Sequence, residues 1–566
     1  MYQIDPNMCL CCHNCALECP VEAINYVGTA YQVKGEKCID CGKCASVCNV
    51  AAVKKVGEEK EIIPHEKVEY EADLVVLGAG AAGIVAAAKA ADLTKKKVII
   101  LEKAEKYGGS GWFAGFSIPV KEEGDKGDKR PPMPPHMAKA MERMQKELDP
   151  ELMKMAKEAP SEFFEWFRNL DERVDDLWGP QMGPGGMELE LKQRSFFNLK
   201  NRDKAIGPGR STSVMEKIVS DHFEELGVKL LTGHRAISIE KNEEGKVCGV
   251  LAEDAGGQVH ISCKAVISCT GGFANNEALL RKHAPQYYGK DTDEHTHRFA
   301  VPSNTGDVME LGKSAGAYMD EKNYTANVFG PVHHPFSFTL FMVQNQPEVV
   351  NINLDGKRFV NESVFGGGAA KMYHQPGRIA YSIIDSKTKE MIKEKLMHGP
   401  DAGVLSLFDQ DFEEEAQLDT PLKKADSLEE LAELCGIEKE AFLETIRNYN
   451  SYCEAGEDPD FHKRPDSLCK IEEGPFYAIY GKLACDGAFG GMLVNSKAEV
   501  YNADKTGMIP GLYAAGDNAS GWFLKSEEEG DNRIMATNEC NWAIASGYTA
   551  GISAAEYLGM GNKENI

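Results

Sequence analysis

The stretch Asp73-Leu74-Val75-Val76-Leu77-Gly78-Ala79-Gly80-Ala81-Ala82-Gly83 decides how this chain is built. Asp73 to Leu77 reads as a short buried strand, and the alanine-rich run that follows reads as a helix to about Leu93. The glycines of a G-x-G-x-x-G pattern therefore fall on a strand-to-helix turn. Val98-Ile99-Ile100-Leu101-Glu102 is the next strand, and it ends on an acid 19 residues beyond Gly83. In that setting Gly78, Gly80 and Gly83 let the backbone approach a pyrophosphate, Ala82 lies in the receiving helix turn, and Glu102 binds a ribose hydroxyl. The expected fold is a Rossmann-like α/β unit. A glycine turn in some other α/β protein is the plain alternative, and the strand, helix and acid together weigh against it. The motif alone does not separate FAD from NAD.

Before this unit lies a second pattern. Cys9, Cys12, Cys15 and Cys19-Pro20 are spaced C-x2-C-x2-C-x3-C-P, and Cys38, Cys41, Cys44 and Cys48 repeat the spacing with Asn49 in place of proline. Thiolates at this spacing wrap 4Fe–4S cubanes, and the fourth cysteine of each run reaches to the other cluster. Cys9, Cys12, Cys15 and Cys48 are thus assigned to one cluster, and Cys38, Cys41, Cys44 and Cys19 to the second. Val21-Glu22-Ala23-Ile24 and Val50-Ala51-Ala52-Val53 follow the two runs, an internal repeat of 29 residues from Cys9 to Cys38. Zinc is the alternative, but it favours paired ligands over four-cysteine runs. Cys11 has no place in the pattern. The region resembles two-cluster bacterial ferredoxins.

Length and composition set bounds on the rest. At 566 residues the chain calls for three or four domains. Its 42% apolar and 27% charged content is that of an ordinary globular protein. A formal charge of −25 argues against nucleic acid or an anionic membrane as partner. No apolar run reaches membrane-spanning length. The opening Met1-Tyr2-Gln3-Ile4-Asp5-Pro6 has neither a basic and apolar leader nor a twin arginine, so a cytoplasmic location is expected. Of 17 cysteines, nine lie in the first 48 residues, and the scattered remainder read as reduced core thiols.

Further motifs favour a flavin. Lys103-Ala104-Glu105-Lys106-Tyr107-Gly108-Gly109-Ser110-Gly111 extends the fingerprint as flavoproteins do, and Gly511-Leu512-Tyr513-Ala514-Ala515-Gly516-Asp517 looks like a second flavin signature. Only one complete dinucleotide fingerprint is present, so a separate NAD unit is not expected. Asn353-Leu354-Asp355-Gly356-Lys357-Arg358-Phe359-Val360-Asn361-Glu362, Gly474-Pro475-Phe476-Tyr477-Ala478 and Phe489-Gly490-Gly491 complete a set. With these, residues from about Tyr70 to Leu558 resemble the flavoprotein subunit of the fumarate reductase and succinate dehydrogenase superfamily.

The resemblance implies an α+β and α/β multidomain chain: a ferredoxin-like domain over 1–65, an FAD-binding domain in two parts over 66–331 and 487–566, and an inserted clamp domain over 332–486. It implies flavin contacts from Lys103, Gly109, Ser110, Ala236, Thr270, Gly271, Asp307, Gly516 and Asp517. In the membrane-bound members a histidine near the first glycine motif is bonded to FAD. Ser110-Gly111-Trp112-Phe113-Ala114-Gly115 has none, so a non-covalent FAD is expected. Lys121 to Pro135 reads as a surface excursion, and residues 136–170 as helices whose Met and Phe side chains belong to the core.

Two family positions are lost. The proton-donating arginine expected four residues after Glu362 is Gly366, and a substrate-binding histidine is replaced by Gly487. Fumarate is therefore not the expected substrate. His334-Pro335 and Asn532-Arg533 do match family positions, which makes Arg533 a carboxylate clamp and His334, with His333 beside it, a site residue. Tyr373, with Asp486 behind it, is the candidate replacement acid.

The expected activity is reduction of an activated C=C bond in an unsaturated acid or enone. A ferredoxin- or flavodoxin-type donor supplies electrons through two clusters to FAD. The rivals are a dehydrogenase forming a C=C bond, like the ketosteroid dehydrogenases, and an electron-transfer subunit serving a partner protein. Oligomeric state is not legible.

Overall fold

The computed structural model describes the chain apart from residues 10–13, 28–29, 59–61, 113–134, 177–178, 181–193, 196–210, 284–296, 299, 321–323, 331–337, 364–370, 373, 398–407, 417–421, 525–533, 536–538 and 560–566. The first 55 residues form a pseudo-symmetric β-α-β-β-α-β unit. Its elements are β1 (Tyr2–Ile4), α1 (Asn14–Leu17), β2 (Ile24–Tyr26), β3 (Tyr31–Val33), α2 (Lys43–Ser46) and β4 (Val53–Lys55). β1 pairs with β4 and β2 with β3, both antiparallel. The repeat seen in the sequence is visible in the backbone. Glu22 and Ala51, each three residues past the last cysteine of its run, both adopt positive φ. The backbone N–H of the next residue, Ala23 or Ala52, donates to Cys19 Sγ or Cys48 Sγ, each at 3.2 Å.

The charge of Glu61–Glu71 reads as that of a linker, but the segment is only partly one. Lys67–Glu71 forms a strand, β5, running parallel to a later strand, and its burial alternates along the chain. Val68 and Tyr70 supply the inward face, and charged residues take the outward one, which is the period of an edge strand.

Next come β6 (Leu74–Leu77), α3 (Ala81–Thr94) and β7 (Val98–Glu102), as the glycine pattern requires. β6 is wholly buried, and so is nearly all of α3, because an alanine helix can lie close against a sheet. Helices α4 (Pro135–Glu147) and α5 (Pro150–Leu170) follow. Phe163, Phe164 and Phe167 of α5 are core residues, as expected. The chain continues through α6 (Ser211–Asp221), β8 (Val228–Thr232), β9 (Arg235–Lys241), β10 (Val247–Glu253), β11 (Gln258–Ser262) and β12 (Ala265–Ser268). α7 (Asp307–Ala315) and β13 (Tyr324–Gly330) lead to β14 (Val350–Asn353), β15 (Ile379–Asp385), α8 (Phe408–Ala416), β16 (Leu422–Ala425) and β17 (Phe476–Phe489). β18 (Glu499–Tyr501), β19 (Met508–Ala514) and α9 (Glu539–Tyr557) finish the fold.

Three main sheets result. One has six strands in the order β8-β7-β6-β12-β19-β18, parallel except at β18. The chain winds outward in opposite directions from β6, through β7 on one side and β12 on the other. A doubly wound sheet binds its ligand at that reversal, beyond the strand C-termini. The second sheet is β9-β10-β11-β5. The third is built on the 14-residue β17, which pairs with β13, β15 and β16.

Units far apart in sequence are tied together. Tyr26 of β2 donates its hydroxyl to Glu415 Oε1 of α8 at 2.7 Å, in a buried contact. Among the described residues no helix is long and apolar enough to cross a membrane.

Candidate functional site

The site grows from the turn after β6. Gly78 has φ 95°, and a Cβ there would lie 2.3 Å from Cys269 O, at the end of β12. A Cβ on Gly83 would lie 2.0 Å from Gly78 O. Neither position admits a side chain, so the glycines are required by the turn itself. α3 starts on Gly80 with no side-chain cap. Its first N–H groups and the positive end of its dipole are therefore free to meet an anion.

Two loops close on this helix end. Gly108 donates its N–H to Ala79 O at 2.7 Å, and Gly109, with φ 52°, follows it beside Gly80. From the other side Gly516, with φ 63°, sits so that a Cβ would come 3.2 Å from Ala82 Cβ. Its N–H donates to Ser546 Oγ at 2.9 Å, and Trp542 Nε1 donates to its carbonyl at 3.0 Å. Asp517 comes next, in the same short helical turn. Ser110 lies in the 3₁₀ turn Gly109–Trp112 and is exposed. Between these loops the glycines leave room. Among the described residues nothing stands within 4 Å of a Cβ on Gly271, and only Gly108 O, at 3.9 Å, stands near one on Gly80. The cradle thus fits a diphosphate held at a helix N-terminus.

Glu102 is buried at the end of β7 and accepts from the N–H groups of Ala79 (2.9 Å) and Ala104 (2.8 Å). Burial pushes its carboxyl above the usual range, and the two N–H groups oppose that. Each oxygen retains capacity for a further donor, such as a ribose hydroxyl. Lys103 Nζ reaches Thr305 Oγ1 at 2.6 Å and Asp307 Oδ2 at 2.8 Å. Arg235 also donates to Asp307, at 3.0 Å. Burial would raise the Asp307 carboxyl, but the Lys103 and Arg235 cations outweigh it and hold the group below its ordinary range. Ala236, beside Arg235, pairs with Ala252 across β9 and β10.

Three features escaped the sequence reading. Asn518 is fully buried, and its Oδ1 accepts from Ser268 Oγ (2.6 Å), Thr270 N (2.9 Å) and Thr270 Oγ1 (3.1 Å), while its Nδ2 donates to Gly271 O. One side chain thereby joins the Thr270–Gly271 loop to the Gly516–Asp517 loop. Gly547 and Gly551 of α9 lie against α3, where a Cβ would come 2.4 Å from Ala82 O and 2.6 Å from Ala86 O respectively. Their four-residue spacing was a readable sign of close helix contact. Glu216 of α6 is 1% exposed, and neither carboxyl oxygen has a hydrogen-bond partner among the described residues. It abuts Gly111, where a Cβ would lie 2.1 Å from its Oε1. Burial raises its pKa well above the ordinary carboxylate value.

Arg533, Asn532, His333, His334, Tyr373 and Gly366 lie outside the described residues. Gly487 is within them, and a Cβ there would meet the Phe489 ring at 2.4 Å. The ring occupies the space that a histidine at 487 would need.

In the N-terminal unit, Cys19, Cys38, Cys41 and Cys44 line one cavity together with Tyr2 and Ile39. These four are the set assigned to the second cluster, and their soft donors at one cavity fit a cubane. Burial raises the Cys44 thiol, with Cys38 and Cys41 adding to the effect. Of the first set, Cys9, Cys15 and Cys48 are buried in one core, and Cys12 lies outside the described residues. No group of three or more His, Cys, Asp or Glu side chains able to hold a metal ion occurs among the described residues.

An FAD-binding domain model matches residues 73–530. Fumarate reductase (cytochrome) of Shewanella frigidimarina is 29% identical over 503 residues, covering 87% of this chain and 78% of that protein. Vinyl phenol reductase of Lactiplantibacillus plantarum is 29% identical over 522 residues, covering 86% and 96%. Among solved structures, 3-ketosteroid Δ1-dehydrogenase from Sterolibacterium denitrificans shares the fold with a TM-score of 0.65 at 19% identity, covering 86% of this chain and 99% of that one. The family match spans most of the chain and contains the glycine cradle, and the chain belongs to the FAD-binding flavoproteins of the fumarate reductase and succinate dehydrogenase superfamily.

Proposed function

We propose that this protein reduces the activated C=C bond of a small unsaturated acid or enone. The observation that carries the reading is likeness over more than 500 residues to two reductases named for substrates with a C=C bond. It is joined to a cradle shaped for a dinucleotide. Bound FAD supplies hydride chemistry at such a bond. The chain's own groups hold the cofactor: the α3 N-terminus takes its diphosphate, Glu102 a ribose hydroxyl, and the loops at Gly109–Ser110, Thr270–Gly271 and Gly516–Asp517 close around it. With no histidine from Ser110 to Gly115, the FAD is held without a covalent bond.

Substrate handling falls to residues named from the family pattern. Arg533 grips a carboxylate with its fork, His334 lines the substrate, and Tyr373 donates the proton. Glycine at 366 and the Phe489 ring beside Gly487 leave fumarate without two of its usual partners. The division into 1–65, 66–331, 332–486 and 487–566 belongs to the same reading, with β17 at the heart of the clamp and β13 paired to it.

Electrons arrive singly from a ferredoxin- or flavodoxin-type donor through a ferredoxin-like unit. Cys9, Cys12, Cys15 and Cys48 would hold one 4Fe–4S cluster, and Cys38, Cys41, Cys44 and Cys19 the other. The paired N–H···S bonds to Cys19 and Cys48 support this, since such bonds help set cluster potential. A cytoplasmic location accompanies the reading.

The test is anaerobic turnover of the isolated chain by reduced viologen, with a panel of enoates and enones. Turnover of at least one, with fumarate slow, is expected. Arg533→Ala should then lose about 2–4 kcal/mol of substrate binding. Brisk fumarate reduction overturns the substrate assignment, and no turnover of any acceptor favours an electron-transfer subunit. The second reading is a dehydrogenase that forms the C=C bond. The glycine at 366, where the family has its acid, favours it, and oxidation of saturated partners by the same chain would support it.

A further inference from the structure

The two cysteine sets differ in exposure. Cys9, Cys15 and Cys48 are 6–8% exposed. In the second set Cys41 is exposed, Cys19 and Cys38 are half-buried, and Cys44 is buried. Ile39, between Cys38 and Cys41, is 60% exposed on the rim of the cavity those cysteines line. A single exposed isoleucine is unremarkable on most surfaces. Here it lines the cavity that four cysteines share.

Charge distinguishes the same face. The exposed residues of segment 34–43 include Lys34, Lys37 and Lys43 against Glu36 and Asp40, a net positive patch on a chain that carries −25. An acidic macromolecule is repelled by the body of this protein and directed by its field to such a patch.

Resting on the two-cluster reading above, we propose that an acidic one-electron carrier protein docks on the face formed by residues 34–43, over the second cysteine set, and that electrons enter there. The first set, whose described cysteines are buried, relays them inward. The carrier's acidic rim meets Lys34, Lys37 and Lys43, and Ile39 supplies the apolar centre. A contact of this kind is small, transient and salt-sensitive.

The experiment uses anaerobically purified full-length protein and an acidic two-cluster ferredoxin as the probe, with binding followed by calorimetry at low and moderate salt. Wild type should bind at low salt and weaken as salt rises. Lys34→Glu/Lys37→Glu should weaken binding by about tenfold or more at low salt and flatten the salt dependence. Ile39→Asp should weaken binding at both salt concentrations. The lysine variant should keep wild-type iron content, and its flavin reduction by methyl viologen should not slow. Unchanged ferredoxin affinity in the lysine variant, or no binding by iron-loaded wild type, overturns the docking face. Wild type without iron overturns instead the cluster reading on which the face depends.

Discussion

Replacing Glu216 by Met should stabilise the protein, and the gain should grow with pH. The carboxyl is 1% exposed, and neither oxygen has a partner among the described residues. Removing an unsatisfied buried polar group recovers about 1–3 kcal/mol even where no charge is involved. Titration adds a second contribution. The usual glutamate value is 4.5, and burial raises the folded-state value well above it. Below pH 4.5 both folded and unfolded chains hold the proton. Above it the unfolded chain releases the proton while the folded chain retains it, so stability falls as pH rises toward the folded value. Each pH unit in that window costs about 1.4 kcal/mol. Cys540, at the start of α9, is a titratable neighbour. Cys540 stays neutral across the window, its thiol pushed up to about 12 chiefly by burial. The assay is urea unfolding at saturating FAD from pH 5 to pH 8, comparing wild type, Glu216→Met and Glu216→Gln. The gap between wild type and Met should widen with pH, and Gln should lose the same pH dependence. A gap that is constant across the range would show that Glu216 ionises freely in the fold, and the reasoning would fail.

Asn518→Leu should weaken FAD binding at least about tenfold by fluorescence titration of the apoprotein, because it orphans Ser268 and Thr270 donors worth about 1–3 kcal/mol each when buried. Arg358→Met should cost about 3–5 kcal/mol in urea unfolding, at the lower end because Lys463 still faces Glu362. The guanidinium bridges Glu362 and Asp458 at 2.9 Å each, with all three side chains buried, and it stacks between Tyr449 and Phe461. Tyr26→Phe should lower stability by about 1 kcal/mol and speed proteolytic release of the first 65 residues, since it deletes the hydroxyl donated to Glu415.

What could be read from the sequence was whatever is local in the chain. The turn from β6 to α3 was legible because Gly78, Gly80 and Gly83 constrain one another within six residues. The internal repeat of the N-terminal unit was legible because its cysteine spacing recurs, and the backbone repeats with it. β5 was misjudged because Lys67, Glu69 and Glu71 dominate its composition, whereas Val68 and Tyr70 determine which way it faces. Glu216 sits among Val214, Met215, Ile218 and Val219, and a single acid beside an apolar helix stripe normally marks the solvent edge. It is buried because α6 is covered on that side too, by the Gly109–Trp112 turn.

The features that join one part of the molecule to another are not local, and no period or motif announces them. Asn518 acts on residues about 250 positions earlier, and Tyr26 meets a carboxylate 389 positions away. Both are decided only when the doubly wound sheet brings β12 beside β19 and when β2 comes to rest against α8. The Tyr26–Glu415 contact joins the cysteine unit to the helix that packs on the β17 sheet, and Lys54 meets Glu105, three residues past Glu102, at 3.5 Å. The exposed lysine pair contributes little energy. The buried tyrosine contact contributes more. Loss of the Tyr26 hydroxyl would therefore loosen the cysteine unit more than loss of the Lys54 ammonium would.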